Sequence, residues 1–380
     1  MRLARVDKAG AGDRASDYVY IDQMRGIAIL MVIAVHYSQN FAQTAIRLAG
    51  TIGQYGVQLF FVASAITLCL SAERHRDEPH PVRNFYIRRL FRIAPLYYLG
   101  VFAYWAIYTA DGRAEAYTAG NIAANLAFVH GFVTSANNTI VPGGWSIGVE
   151  MVFYLAFPFA YHQAQLVRAR WGAAGVSAGL GLVLAGTVAF QFVYFAITGN
   201  RIANNTFAYY FIANQVAVFA LAIGWYLCFV REDRRLCEPR VAMIGFCSGL
   251  ATCAAILIAN FAPLVGLTPA IAAAAFVCLA ERLRTQALRA PWLAEIGKVS
   301  FSLYVLHFAL VWWPVKWLVA TFHANPGAEF AAFVPLYAAT VAILVLAARI
   351  TRRLVEEPGN ALGRKLIRRL NASRAPGTAL

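Results

Sequence analysis

Stretches of about 20 apolar residues recur along this chain, at roughly 21–44, 52–72, 93–110, 146–166, 173–198, 207–230, 241–259, 263–280, 300–320 and 329–348. Each is about long enough to cross a hydrocarbon core as a helix, and in lipid the helix is the one single-segment structure that satisfies its own backbone. The pattern predicts an all-α fold, a polytopic transmembrane bundle of about ten helices. The segment from Gly120 to Phe132 is too short to span and is expected to be re-entrant or interfacial. With 60% of residues hydrophobic and 13% charged, the composition lies far from the roughly 25% charge of a soluble domain.

The net charge of +15 raises nucleic acid as a partner, and placement decides against it. If residues 1–20 form a cytoplasmic segment, then all of the 33 basic residues except Arg25, Arg47, Arg113, Arg201 and Lys316 fall on the inner side. That satisfies the positive-inside rule with an even helix count and both termini cytoplasmic. The expected organisation is a cytoplasmic segment at 1–20, a membrane domain at 21–358 and a basic tail at 359–380, with no appended soluble domain. The basic N-terminus is not read as a signal peptide, because Arg25 interrupts the apolar run and no small-x-small site follows. The six cysteines show no CxxC or Cys/His spacing, so neither zinc nor a disulfide is expected.

Arg25 precedes the apolar run Ile27 to Val35 and His36 follows it. Eleven residues at about 100° each return to within roughly 20° of the starting direction, about 16 Å along the axis. A guanidinium and an imidazole on one stripe of a membrane helix mark a site more than an anchor. In NFYIRRLFRIAPLYYLG, Arg88, Arg89 and Arg92 share a helical face at the membrane border. They read either as positive-inside residues contacting lipid phosphate or as a clamp for a phosphorylated donor, with Pro95 expected to break the helix and set the clamp's angle.

In GGWSIGVEMVFYLAFP, Ser146, Glu150 and Tyr154 follow at spacing four, expected in the outer part of a membrane helix, with Trp145 read as an interfacial anchor more than a substrate platform. In VSFSLYVLHFAL, Ser300, Tyr304 and His307 make one polar stripe. His307 reads either as a residue supporting the site or as an interhelix hydrogen-bond donor. In the closing VEEPG, Glu356 or Glu357 is expected to pair with inner-face arginines.

Taken together the pieces resemble the acyltransferase 3 family of integral membrane O-acyltransferases. The resemblance runs nearly end to end: Arg25 with His36; GVQLFFVASA at Gly56 to Ala65; Arg89 to Tyr97; Trp145 to Tyr154; Ser300 to His307; and VEEP. One departure is Ala65, where the family usually has Gly. The resemblance implies transfer of an acyl group, commonly acetyl, from cytoplasmic acyl-CoA to a hydroxyl of a carbohydrate or glycan such as O-antigen or exopolysaccharide, with a lipid-linked glycan, a macrolide or another hydroxylated metabolite behind it. It implies His36 as the essential histidine, Arg25 as its paired arginine, and Arg89 and Arg92 as donor-binding. It also implies residence in the bacterial inner membrane. Without the hydrolase-like domain of some members, the chain is expected to act alone, as a homo-oligomer, or by passing its product to a separate acyl-accepting partner.

Acyl transfer to an alcohol needs a base, oxyanion donors and a grip on phosphate. His36 suits the first task, as a base or as a transient acyl carrier, with Glu150 orienting it or sharing its proton. The depths expected put Arg88, Arg89 and Arg92 at the cytoplasmic face, Arg25 and His307 in the inner third, His36 just past the middle and Glu150 farther out. The rival readings are a proton-coupled transporter or flippase using His36, Glu150 and His307 as a relay, and a non-catalytic sensor. The separate membrane-bound O-acyltransferase superfamily would leave Arg25 and His36 unexplained.

Overall fold

The computed structural model describes residues 18–372, which are helices and their connections with no β-strand among them. In chain order these are α1 (Val19–Ser38), α2 (Thr44–Thr51), α3 (Gly56–Arg74), α4 (Pro81–Ala110), α5 (Ala119–Leu126) and α6 (Gly144–Thr198). They continue with α7 (Ile212–Trp225, extended by a wider turn to Val230), α8 (Pro239–Ile258), α9 (Thr268–Thr285) and α10 (Pro291–Lys298). The last are α11 (Ser300–Leu310, running on to Ala320), α12 (Pro326–Thr351) and α13 (Glu357–Ala372).

Eight helices among the described residues are long and apolar enough to cross a membrane, against the ten expected. The difference has two sources. Gly144–Thr198 runs on for 55 residues with one break, where Gly172 takes φ 64° and ψ −154°. A straight helix of that length would reach about 80 Å, far beyond a hydrocarbon core of about 30 Å, so the break at Gly172 is where the two expected spans divide. Thr268–Thr285 in turn carries Glu281, Arg282 and Arg284. Glu281 is buried between helices, accepting from Trp225 at 3.2 Å and from Arg284, which removes it from lipid.

α1 lies at the centre, packed against α3, α10 and α11. Gly297 of α10 makes the α10 approach possible, since a Cβ there would overlap the Asp22 carbonyl. Small residues allow such close backbone contact inside membranes, where packing replaces the hydrophobic drive. α3 is the most enclosed span, while α8, α12 and the half of α6 after Gly172 turn most of their surface outward.

Basic segments gather on one face. Arg231 pairs with Glu73 at 3.1 Å, Arg168 with Glu232, and Arg284 with Asp233 at 3.5 Å, tying the ends of α3, α7 and α9 to the middle of α6. Arg2, Arg5, Lys8, Arg14 and Arg374 lie outside the described residues. α4 begins at Pro81 and passes through Pro95 unbroken, so the expected break is corrected: neighbouring helices tolerate an internal proline at membrane depth. The helix from Pro326 likewise continues through 358 into α13. The short α5 enters the bundle, held by Tyr97, whose hydroxyl donates to Asn125 at 2.7 Å.

Candidate active site

The 111–143 connection sets the geometry of the site. It carries α5 and His130 into the bundle, where the His130 ring lies 3.0 Å from the Gly144 carbonyl oxygen. α6 therefore starts at depth. Six residues further on, Glu150 shares a cavity with Arg25, Arg89 and Arg92, together with Phe60, Ser64, Ser146, Tyr154, Ser300 and Tyr304; its empty space is about 630 Å³. Glu150, expected farther out than His36, instead shares the cavity of Arg25, Arg89 and Arg92.

Glu150 accepts hydrogen bonds from Ser64 at 2.5 Å and from Tyr154, while the Ser64 and Tyr154 hydroxyls lie 3.1 Å apart. Arg25 donates to Thr67 at 2.9 Å and stands 3.6 Å from Asp22. Arg89 is buried, reaches Ser71 at 3.4 Å, and lies over the rings of Phe85 and Tyr154 at 5.7 and 5.8 Å. Arg92 completes the group. Three guanidinium groups against one carboxylate leave this cavity suited to an anion.

Arg88 turns away from it. Its guanidinium donates to Glu78 at 2.9 Å. Partial burial acts upward on the Glu78 carboxyl, but hydrogen bonds from Arg88 and Asn84 outweigh it and hold the group below the usual carboxylate range.

His36 lines a second cavity, of about 590 Å³ of empty space, with Gln54, Gln58, Asn138, Trp145 and Trp312 among its walls. Val57 and Tyr304 line both cavities. The His36 ring lies 4.4 Å from Phe308 and 5.4 Å from His307, with Nδ1 3.4 Å from the Gln39 amide oxygen. His307 Nδ1 is 2.7 Å from the Tyr304 carbonyl, and its buried Nε2 has no hydrogen-bond partner among the described residues. The structure thus exchanges two expected positions: His307 stands beside His36, and Glu150 stands among the arginines. No hydrogen bond joins Glu150 to His36 among the described residues; its partners are Ser64 and Tyr154.

Tyr304 divides the two spaces, its hydroxyl 2.7 Å from the Ser146 hydroxyl and donating to Gly143 at 2.9 Å. Trp145 is buried and stacks on Tyr210 at 4.3 Å, a wall of the second cavity and not the lipid-interface anchor expected. Of the closing acids, Glu356 is buried and accepts from Ser302, while Glu357 pairs with Arg352 at 3.2 Å. Ser64 and Thr67 were missed as site residues. Ser64 lies in the GVQLFFVASA motif, but nothing in the spacing of one hydroxyl showed that it would meet a carboxylate. Among the described residues no group of three or more His, Cys, Asp or Glu gathers as metal ligands.

Residues 18–349 match the model of the acyltransferase 3 family, described as an acyltransferase domain. An acyltransferase of Streptomyces mycarofaciens, MdmB, is 26% identical over 381 residues, covering 94% of either chain. No solved structure gives a significant match.

Proposed function

Because the chain belongs to the acyltransferase 3 family, as an integral membrane protein, we propose that it moves an acyl group, acetyl by preference, from cytoplasmic acyl-CoA to a hydroxyl of a carbohydrate or glycan. The observation that carries this reading is the pair of adjoining cavities, one lined by Arg25, Arg89 and Arg92 and the other by His36, with Val57 and Tyr304 common to both. The arginine-rich face is taken as cytoplasmic by the positive-inside rule. Guanidinium forks match phosphate oxygens, so donor and arginines share a side. The His36 cavity offers amides from Gln54, Gln58 and Asn138 beside the Trp145 and Trp312 rings. Such a mixture of fixed polar groups and aromatic surface suits a hydroxylated ring.

In this reading His36 is the general base. Its Nδ1–H donates to Gln39, leaving Nε2 to take the proton from the acceptor hydroxyl as the oxygen attacks the acyl carbon. A carbon–oxygen bond forms, the carbon–sulfur bond breaks, and the proton passes to the departing thiolate. Tyr304, in the shared wall, and Ser146, in the arginine cavity, both donate to the Gly143 carbonyl, so each hydroxyl turns off that carbonyl to serve the developing oxyanion. Arg25, Arg89 and Arg92 hold the anionic donor, and Glu150, with Ser64 and Tyr154, keeps their charges in place.

Mass spectrometry of surface glycans from a deletion strain and its parent tests the assignment. Loss of one acetyl group per modified residue, restored by the wild-type gene and not by His36→Ala, is the expected result. Unchanged glycans and metabolites would count against it. Rapid quenching that traps an acyl-imidazole on His36 would replace the base with a carrier.

A further inference from the structure

Arg89 and Arg92 line the Glu150 cavity and also a separate hollow between α4 and α13. About 500 Å³ of empty space, partly open to solvent, is lined there by Arg88, Arg89, Phe91, Arg92, Asn360 and Arg364. Four arginines line the hollow and, among the described residues, no Asp or Glu does, although the Arg88 guanidinium is bonded to Glu78. Arg89 is only 8% exposed, and neither its Nε nor that of Arg88 has a hydrogen-bond partner among the described residues. Arg92 and Arg364 make no hydrogen bond or ion pair among the described residues. Grouped cations with unmet donors are costly until an anion arrives, and planar forks favour phosphate oxygens.

The sequence of α13 brings Arg364 there. Gly363 lets the helix lie against α4, since a Cβ at that position would come within 2.8 Å of the Phe91 Cβ. Ile367 is buried one turn on, while Arg364, Lys365, Arg368 and Arg369 stay exposed. Asn360, Gly363, Arg364 and Ile367 lie beyond residue 349, where the family match ends.

We infer that this hollow seats the phosphate groups of the donor's nucleotide end, with Arg364 and Asn360 completing the grip begun by the α4 arginines. The acyl end then passes Arg89 and Arg92 toward Glu150. The inference rests on the acyl-CoA reading above. Lipid headgroups offer the same phosphate oxygens, so the test separates the two sources.

Full-length protein is placed in nanodiscs of phosphatidylcholine, with and without phosphatidylglycerol, and binding of free CoA is measured by calorimetry for wild type, Arg364→Ala, Arg364→Lys and Asn360→Ala. Melting curves establish that each variant is folded, which the exposure of Arg364 favours. The expected result is a loss of CoA affinity of about tenfold or more in Arg364→Ala, the size of one charge-assisted contact. Arg364→Lys should retain part of it, phosphatidylglycerol should change it little, and KM for the acceptor should hold. CoA binding equal in Arg364→Ala and wild type overturns the inference while leaving the acyl-CoA reading intact. So does loss of bound phosphatidylglycerol with CoA affinity unchanged, which makes the hollow a lipid site. No CoA binding by wild type overturns both.

Discussion

His307 stands beside His36 with ring centroids 5.4 Å apart, its Nδ1 engaged by the Tyr304 carbonyl and its Nε2 without a partner among the described residues. That arrangement fixes the tautomer: Nδ1–H donates along its own helix, and Nε2 keeps a lone pair. His307 is in this account a positioning residue that keeps a neutral imidazole beside the base. His307→Phe should keep the packing and lower kcat by about tenfold, while changing the pH profile, since a purely structural neighbour would not move it. His307→Gln should restore part of the rate. Unchanged pH profiles in both variants would remove the role.

Glu150 is, among the described residues, the single carboxylate lining the arginine cavity. Glu150→Gln keeps the shape but weakens the charge-assisted bonds from Ser64 and Tyr154, and Glu150→Ala leaves both hydroxyls without it. The melting temperature in a fixed detergent should fall for Gln and fall further for Ala, the latter corresponding to a stability loss of about 1–3 kcal/mol. Equal melting temperatures would show that the carboxylate does not hold the cavity together.

The α1–α10 crossing is the second structural test. A methyl on Gly297 would overlap the Asp22 carbonyl, so Gly297→Ala must push the helices apart, at a cost of about 1–3 kcal/mol for overpacking. Because Arg25 follows Asp22 by less than one turn, activity should drop along with melting temperature. A variant as stable and active as wild type would refute the close contact.

The Glu78 contact gives a pH dependence outside the spans. Its folded value lies below the ordinary carboxylate value of 4.5, so the stabilisation is present above about pH 4.5 and is lost as pH falls through the depressed value. The carboxylate is about one-third exposed, so solvent screening keeps the effect small, within about 1 kcal/mol. The difference in melting temperature between wild type and Glu78→Gln should shrink from pH 7 to pH 3. A difference that grows on acidification would reverse the sign.

How much of this was legible in the sequence depended on what sets each position. Apolar length located the helices, because lipid leaves the backbone few alternatives. Helical spacing placed Arg25 and His36 on one stripe. The spacing of four put Tyr154 on the face of Glu150, and the two are bonded; the place of Glu150 among the arginines was not legible, because it depends on where α6 begins, and that follows from Tyr97, Asn125 and His130 drawing a polar connection into the bundle. His307 was misplaced for the same kind of reason: α11 starts level with the arginine cavity at Ser300, so two turns carry His307 away from it. Arg364 looked like one more basic tail residue until Gly363 brought its helix against Phe91.

The central claim is that donor and acceptor approach from opposite sides and meet at the wall formed by Val57 and Tyr304. Proteoliposomes of one orientation test it most directly, with labelled acetyl-CoA supplied on the arginine-rich side and a short oligosaccharide on the other. The account predicts labelled oligosaccharide from wild type and a fall of about 10²-fold or more in His36→Ala. Label transferred equally well by His36→Ala, or only when both substrates share a side, would contradict it.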